Sequence, residues 1–390
     1  MQTRAVLLAA LASASIGVPG PAAADIKIGF SGPLSGPAAV VGQDQIDGFM
    51  LAVDMLGGKL GGQPVTVIRE DDQLKPEIGQ QIIRKFIDKD KVDAIVGLGF
   101  SNVVMASLRR IVEAGTPAIA TNAGPSPVAG LQCAPNVFSV AWQNDGAAEA
   151  MGKLVQEKGV RRVYLMAPNY QAGKDMVVGF KRFFKGEVAD EVYTQVNQTD
   201  YSAEISQLQN AKADALFAFY PGGMGVNFVR QLRQAGMLEK LPMYSVFTID
   251  GTTMPALRDA AAGAVTGAMW DAALGNAENK KFVAAFEAKY KRTPSEYAAT
   301  GFDAANLLAA AVHRLKGDTS DKKAFAAAIK TAGQEFRSVR GPFRFNNNNL
   351  PIQNYYAFQV VKEGGQVAVK QIATPLTDHK DAYHDKCALR

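Results

Sequence analysis

The 390-residue sequence predicts an α/β fold built of two doubly wound, parallel-sheet lobes. Short apolar segments alternate with amphipathic helical segments, which is typical of parallel sheets covered by helices on both faces. The alternation restarts near Trp142, which indicates a second unit of the same kind. Strand-like patterns return after three helical stretches within residues 279–332, so we expect the C-terminal part to complete both lobes.

The elements of the first half follow from hydrophobic periodicity. Ile26, Ile28 and Phe30 share one face of a strand, and the helix after the loop 31–37 ends at Gly57-Gly58. The predicted strands are 26–30, 65–67, 92–98 and 116–121, and the predicted helices are 46–56, 78–86 and 103–112.

The second half repeats this order and adds a late hairpin. Residues 346–349 are predicted to be a crossing loop, and Glu363-Gly364-Gly365 is predicted to be a turn between two strands. The predicted strands are 163–166, 188–194, 215–219, 243–247, 264–269, 355–361 and 367–372, and the helices are 174–184, 203–209 and 226–235.

Residues 1–24 are predicted to be an export signal. Arg4 gives a positive start, residues 5–18 are apolar, and small residues precede Asp25, so we expect cleavage after Ala24. The apolar part is too short to span a bilayer, and no later stretch is long and apolar enough. We therefore expect an exported, soluble chain, without a lipid anchor because no cysteine lies at the cleavage site.

Charge and cysteine content narrow the choice of partners. The formal net charge is +5, but acids and bases alternate, as in Lys89-Asp90-Lys91, so a solvated surface is favoured over nucleic-acid binding. The two cysteines, Cys133 and Cys387, are an even count in an exported chain, which suggests one disulfide; two buried free thiols are the alternative.

The segment VDAIVGLGFSN (92–102) is the strongest candidate for a binding site. An apolar strand leads through glycines to Ser101 where a helical pattern begins, which presents a hydroxyl and free backbone N–H groups. Such a helix start favours anions, and parallel sheets bind ligands beyond the carboxyl ends of their strands. Two facing lobes would create one cleft there.

Catalytic and metal-binding motifs are absent from the sequence. It contains no GxSxG, HExxH, P-loop or complete GxGxxG. Of the three histidines, His313 fits a helix and His379 and His384 fall in a polar tail, so we expect no metal site and no cofactor. The sequence therefore indicates a binding protein rather than an enzyme.

Several runs in fixed order carry a family resemblance. The opening DIKIGFSGPLSGPAAVVGQDQIDGFMLAVDML is followed by VDAIVGLGFSN, TPAIATNAG, FSVAWQND, APNYQAGKDM, FYPGGMGVNFVRQLRQAG and EYAATGFDAANLL. Together they resemble periplasmic solute-binding proteins of the leucine/isoleucine/valine-binding type, the type I periplasmic binding proteins of ABC importers. The resemblance covers essentially the whole mature chain.

The resemblance implies two lobes joined by a three-segment hinge, which close on a ligand and dock on a permease in the inner membrane. It implies a periplasmic protein, and we expect a monomer. The first lobe is predicted to comprise 25–142 and 271–346, and the second 143–270 and 347–390. The hinge is expected near 140–145, Trp270 and Asn346, and a Cys133–Cys387 bond would pin the C-terminal tail beside it.

The resemblance also assigns ligand-binding roles. Ser101 matches the serine that holds a ligand carboxylate, and Phe100 is expected to line the pocket. Further ligand contacts are expected from Thr121, Asn122, Gly124, Tyr170, Tyr220, Phe247 and Phe302. Core packing is the alternative for each aromatic residue, and a plain helix N-cap is the alternative for Ser101.

One departure from the family pattern concerns the ligand. Amino-acid-binding members carry an acidic residue where this chain has Phe247 or Thr248, and that residue pairs with the ligand ammonium. A carboxylate anchor without an ammonium anchor points to an aromatic acid such as a benzoate derivative, with Thr248 bonding a ring substituent. Aliphatic acids, or a branched-chain amino acid paired with Asp250, are alternatives. A ligand-sensing module for a receptor is another.

Overall fold

A computed structural model describes residues 25–389 of the chain. The predicted export signal and its cleavage after Ala24 lie outside the described residues. No helix within this span combines the length and the apolar character that a membrane crossing needs.

The first sheet of the described chain has the strand order β2-β3-β1-β4-β5-β6. Its strands are parallel except for the short β2, which pairs antiparallel with β3. The strands are β1 (Ile26–Gly32), β2 (Lys59–Leu60), β3 (Gln63–Asp71), β4 (Ala94–Gly97), β5 (Ala118–Ala120) and β6 (Val137–Ser139). The helices of this half are α1 (Ala39–Met55), α2 (Pro76–Lys85), α3 (Ser101–Ala114) and α4 (Ser126–Ala129).

The second sheet has the order β12-β13-β11-β10-β9-β7-β8, with β14 paired to β13. Its strands are β7 (Arg162–Pro168), β8 (Glu187–Thr194), β9 (Ala215–Phe219), β10 (Met243–Val246), β11 (Val265–Ala268), β12 (Arg344–Phe345), β13 (Pro351–Glu363) and β14 (Gln366–His379). The remaining helices are α5 (Asp145–Glu157), α6 (Gln171–Phe183), α7 (Ser202–Asn210), α8 (Gly223–Gln234), α9 (Met254–Leu257), α10 (Ala277–Tyr290), α11 (Glu296–Arg314) and α12 (Lys322–Ala332).

The α/β fold with two lobes built on two sheets is confirmed, and the second sheet is mixed where the predicted late hairpin joins it. Strands β7 to β11 are parallel, whereas β13 runs antiparallel to β11, β12 and β14. The turn Gly364-Gly365, with positive φ angles of 57° and 83°, reverses the chain from β13 into β14 and so forms the predicted hairpin.

The chain passes between the two sheets three times. It leaves the first sheet after β6 for α5, which packs on α6 and the second sheet. It leaves β11 for α10 to α12, of which α11 packs along α1 of the first lobe. It returns to the second sheet at β12, which leads through residues 346–350 into β13. The segments predicted as the hinge, near 140–145, Trp270 and Asn346, fall on these connections. Their role as a hinge and the limits of the lobes stay predictions.

The C-terminal tail is tied to the first lobe. Cys133 and Cys387 form the expected disulfide, with Cα atoms 5.7 Å apart. Asn348, on the third passage between the sheets, donates hydrogen bonds from its amide to the Ala129 carbonyl at 2.8 Å and to Asp381 at 2.9 Å. The tail therefore sits beside that passage.

Candidate functional site

The turn from β4 into α3 forms the polar end of the candidate site. Gly97 has φ of 98°, and a Cβ there would lie 2.2 Å from the Ser31 carbonyl oxygen, so only glycine fits. Phe100 is extended, and the Val104 N–H donates to its carbonyl at 3.0 Å. The N–H groups of Ser101 and the next two residues therefore have no acceptor within the helix, and they point toward the cleft end of the sheet.

Asn144 holds the Ser101 hydroxyl in a defined orientation. Its amide Nδ2 donates to Ser101 Oγ at 3.0 Å and to Asp175 Oδ2 at 2.8 Å, while its Oδ1 accepts from the Gly124 N–H at 3.0 Å. These three bonds fix which way the amide faces. Since Ser101 Oγ is used as an acceptor, its own O–H is free to donate to a ligand oxygen.

Asp175 anchors this chain of hydrogen bonds from the second lobe. It is buried and accepts from the Ser126 N–H at 3.0 Å, the Ser126 hydroxyl at 2.7 Å and the Gln171 amide at 2.8 Å. Burial raises the pKa of Asp175 above its ordinary value, and the hydrogen bonds oppose that rise. Because Ser126 begins α4 of the first lobe, these bonds link the lobes directly.

Aromatic side chains form the rest of the wall. Trp142 stacks on Phe247 with ring centroids 4.4 Å apart and 17° between the planes. Tyr170 lies between Phe100 and Phe219, with centroid distances of 6.3 and 6.2 Å. Tyr297, at the start of α11, is the last aromatic residue of this wall, and its ring centroid lies 6.1 Å from that of Trp142. The site therefore offers flat apolar faces from both lobes.

The cavity enclosed by these groups is small and uncharged. Its volume is about 20 Å³, room for about one water molecule. None of its described lining residues is acidic or basic. They are Gly99, Phe100, Ser101, Asn122, Ala123, Trp142, Asn144, Tyr170, Ala172, Met176, Phe219, Pro221, Phe247 and Tyr297. A ligand with a ring can enter only if the lobes open or the aromatic pair separates.

Half of the predicted site residues lie on this wall, namely Phe100, Ser101, Asn122, Tyr170 and Phe247. Gly124 does not line the cavity but contacts two residues of its wall, Asn144 and Trp142. Its N–H holds Asn144, and a Cβ on Gly124 would lie 1.9 Å from the Trp142 carbonyl oxygen. Glycine is therefore required there for the wall to close.

The side chains of the other predicted residues make contacts in the interior of the lobes and do not line the cavity. The Thr121 hydroxyl donates to Gln45 at 2.6 Å, and Phe302 packs on Phe282 with centroids 4.8 Å apart. Thr248 Oγ1 accepts from the Tyr220 N–H at 2.8 Å and is fully buried, so it is not placed to bond a ring substituent. The Tyr220 ring packs in the core of the second lobe.

Asp250 is turned away from the cavity. Its Oδ2 accepts from the Tyr297 hydroxyl at 3.0 Å, and its Oδ1 accepts from the Thr252 and Thr253 N–H groups at 2.8 and 3.1 Å. Tyr297 thus stands between this carboxylate and the site. In this arrangement Asp250 organises its own loop and does not face the ligand position.

Nine of the described lining residues were not predicted as site residues, and four of these supply aromatic rings or the amide described above: Trp142, Asn144, Phe219 and Tyr297. Trp142 and Asn144 lie in FSVAWQND, and Tyr297 lies in EYAATGFDAANLL. Both runs carry the family resemblance, so these residues could have been proposed as site residues from the sequence. Phe219 ends β9 immediately before the predicted Tyr220, and the alternation of side chains along the strand decides which of the two faces the cleft.

Two α/β lobes around an aromatic cleft, with a helix start at its polar end, define the class of two-lobed small-molecule-binding proteins. The family model described as "Periplasmic binding protein" matches residues 25–366, and the chain belongs to this family. Its members are solute-binding proteins of ABC transporters, which are not enzymes, and they work with a small-molecule ligand and a permease.

Relatives with known structures or curated names support this assignment. A solute-binding protein of an ABC transporter from Rhodopseudomonas palustris, solved in complex with benzoate, is 31% identical, with TM-score 0.88 and coverage of 94% of this chain and 100% of that one. Another, from strain BisB5 with 3,4-dihydroxybenzoic acid, is 26% identical, with TM-score 0.84 and coverage of 92% and 99%. "Leu/Ile/Val-binding protein homolog 6" of Brucella melitensis is 26% identical over 95% of this chain and 96% of its own length.

Proposed function

We propose that this ABC transporter solute-binding protein binds an aromatic carboxylate of the benzoate class and delivers it to an import permease. The observation that carries the proposal is the cavity wall, which combines aromatic faces with hydrogen-bond donors and contains no charged residue among those described. In a benzoate-like ligand the planar ring suits the aromatic side chains of this wall, and the carboxylate suits its hydrogen-bond donors.

The polar end supplies what a carboxylate needs. The free N–H groups at the start of α3 and the Ser101 O–H are donors grouped at one point, and the helix dipole favours negative charge there. Hydrogen bonds to an ionised oxygen are about twice as strong as neutral ones. Asp175 does not line the cavity. It lies behind Asn144 and accepts a hydrogen bond from the Asn144 amide, so its negative charge acts on a ligand through that amide.

The apolar end argues against an amino acid. A ligand ammonium buried among Trp142, Phe247 and Tyr297 would have no carboxylate partner within the wall, and an unpaired buried charge is costly. The nearest acid in sequence, Asp250, is already occupied by three donors. The two Rhodopseudomonas proteins described above were solved with benzoate and with 3,4-dihydroxybenzoic acid, which supports the same ligand class for this chain.

Calorimetry on the mature chain tests the proposal. Benzoate, 4-hydroxybenzoate, cyclohexanecarboxylate and leucine are titrated separately. We expect the benzoates to bind most tightly, cyclohexanecarboxylate more weakly because it lacks the flat π face, and leucine not at all. Tight binding of leucine without binding of benzoates would falsify the proposal.

A further inference from the structure

The rim of the cleft carries a direct main-chain contact between the two lobes. The Gly223 N–H, at the start of α8, donates to the carbonyl of the exposed Pro37 at 2.9 Å. Pro37 lies in the loop between β1 and α1 of the first lobe, whereas α8 follows β9 of the second sheet. Pro221, two residues before Gly223, lines the aromatic cavity. The contact therefore bridges the lobes beside the candidate binding site.

The start of α8 admits this approach because two glycines stand there. A Cβ on Gly222 would lie 3.1 Å from the Pro37 carbonyl oxygen, and a Cβ on Gly223 would lie 3.0 Å from the same oxygen and 3.1 Å from Pro37 Cβ. Carbon atoms in ordinary contact are about 3.5–4.0 Å apart. Gly222 also has a left-handed φ of 63°, but the φ of Gly223 is not positive. A side chain at Gly223 would thus disturb the other lobe and not its own backbone.

The Pro37 carbonyl is held in place by the first lobe. Gly36 has φ of 74°, and its carbonyl accepts from the Ala39 N–H at 3.1 Å, which forms a tight turn around Pro37. Earlier in the same loop, the Leu34 N–H donates to Asp71 at 2.8 Å. Because the first N–H groups of a helix have no acceptor within that helix, the fixed carbonyl satisfies a donor of α8 that would otherwise bond water.

Apolar side chains pack behind this hydrogen bond. Ala38 and Val41 of the first lobe are buried in the same cluster as Phe219 and Phe247 of the second. Separating the lobes at this place would expose these apolar groups and break the main-chain bond. Closure of the rim is therefore favoured by contacts that involve no ligand atom, since the described cavity lining includes neither Pro37 nor Gly223.

We propose that Pro37 and Gly223 form a latch, present only when the lobes are closed, that determines how long a bound ligand is retained. The latch acts on the opening of the lobes and not on recognition of the ligand. A contact that is absent from the open form slows ligand release and leaves ligand capture unchanged. The proposal rests on the proposed function for its probe, benzoate.

Stopped-flow fluorescence tests the latch, with Trp142 on the cavity wall as the reporter of benzoate. In Gly223→Ala the added methyl group displaces Pro37, whereas α8 itself should gain stability because alanine favours a helix more than glycine does. We expect the dissociation rate to rise roughly twofold to tenfold, the factor for loss of a neutral hydrogen bond. The association rate constant should stay within roughly twofold of wild type.

The matched control is Gly275→Ala. Gly275 is exposed, has no positive φ, and a Cβ there would meet nothing within 4 Å, so neither rate should change. Asp71→Ala loosens the loop from the other lobe and should also speed release. The double variant Asp71→Ala/Gly223→Ala should release benzoate little faster than either single variant, because both substitutions break one contact. Effects that multiply in full would contradict the latch.

Urea unfolding checks that each variant is folded. Unchanged release by folded Gly223→Ala protein, or a slower association without faster release, would overturn the proposal. Binding of leucine in place of benzoate would contradict the proposed function alone. The same rates measured with leucine then test the latch, because it acts on closure and not on the chemistry of the ligand.

Discussion

The indole of Trp142 and the ring of Phe247 stack 4.4 Å apart and close the candidate ligand cavity. Phe247 adopts this position with φ of 51°, a left-handed conformation that costs a residue with a Cβ about 1–2 kcal/mol. Strain of this kind persists where the surrounding structure enforces it, and it is concentrated at functional sites. The pair therefore marks the place where a ligand ring would enter.

Replacing Phe247 with leucine should weaken benzoate binding more than cyclohexanecarboxylate binding. Leucine keeps an apolar contact but removes the ring face, and aromatic pairs contribute about 0.5–1.5 kcal/mol beyond buried area. We expect the preference for benzoate to fall roughly threefold to tenfold in calorimetry. Equal losses for both acids would show that Phe247 acts only as apolar bulk.

Replacing Ser101 with alanine should weaken every carboxylate ligand. The loss should be about 1–3 kcal/mol, because a donor to a charged oxygen disappears and Asn144 loses an acceptor. The matched control is Ser107→Ala on the same helix. Ser107 is equally buried, but its hydroxyl has no hydrogen-bond partner among the described residues. We expect Ser107→Ala to leave affinity unchanged and stability equal or higher, as measured by calorimetry and urea unfolding.

The order of strands and helices could be predicted because most elements bury one face of apolar side chains, which recur at the spacing of a strand or a helix. The start of α3 at Ser101 followed from the glycines before it and the helical pattern after it. Helix α5 was missed because its sequence DGAAEAMGKLVQE is buried on nearly every side, so no amphipathic stripe exists. Strand β6, with three residues, was also missed, although the equally short β5 was predicted.

The site was predicted less completely than the fold, and the reason is local geometry. Thr248 and Tyr220 follow strands as expected of cleft residues, but the Thr248 hydroxyl accepts from the Tyr220 N–H in the interior. Alternation along the strand places the Phe219 ring at the cleft and the Tyr220 ring in the core. Asn144 could not be assigned a role because its partners, Ser101 and Asp175, are 43 and 31 residues away in sequence. Such relations between distant residues require the three-dimensional structure.

Neutralising Asp72 should remove part of the pH dependence of stability. Burial raises the pKa of Asp72 to about 6, and hydrogen bonds from the Leu74 N–H at 2.9 Å and the Ser31 hydroxyl at 3.2 Å only partly oppose it. A folded pKa above the unfolded value means that the folded state binds the proton more tightly. This group therefore lowers the free energy of unfolding as pH rises from about 4 to about 6, by at most about 3 kcal/mol.

Urea unfolding across that pH range compares wild type with Asp72→Asn. The stability of the variant relative to wild type should increase from pH 4 to pH 7. The control is Asp25→Asn, at an exposed position, which should follow the wild-type curve. A constant difference between wild type and Asp72→Asn would contradict the prediction.

Removing the Cys133–Cys387 disulfide should lower stability but not ligand affinity. The bond closes a long loop, since the cysteines have a sequence separation of 254, and chain entropy limits its contribution to about 5 kcal/mol. The tail keeps other contacts, since the Tyr383 hydroxyl donates to Asp145 at 2.8 Å, so the loss should be smaller. Neither cysteine lines the ligand cavity.

The measurement is urea unfolding of Cys133→Ser/Cys387→Ser with and without reductant. Reductant should destabilise wild type and leave the double variant unchanged. Thiol titration of unfolded, unreduced wild-type protein should detect no reactive thiol. Two reactive thiols would show that the bond does not form.

Closure of the lobes should depend on Ser126 and Asp175. These residues belong to α4 and α6 of opposite lobes and share two hydrogen bonds, of 2.7 and 3.0 Å. Ser126→Ala removes the hydroxyl donor and keeps the backbone bond. A hydrogen bond to a charged group contributes about 1.5–3 kcal/mol, so the substitution should shift the equilibrium toward the open form by roughly tenfold or more.

Small-angle scattering measures this shift. We expect benzoate to decrease the radius of gyration of the wild-type protein through a hinge motion, and ligand-free Ser126→Ala protein to be larger than ligand-free wild type. The affinity for benzoate should fall in parallel, because part of the binding free energy is then used to close the lobes. Ser206→Ala, at an exposed position on α7, is the control and should match wild type. A radius that responds neither to benzoate nor to Ser126→Ala contradicts closure between these lobes.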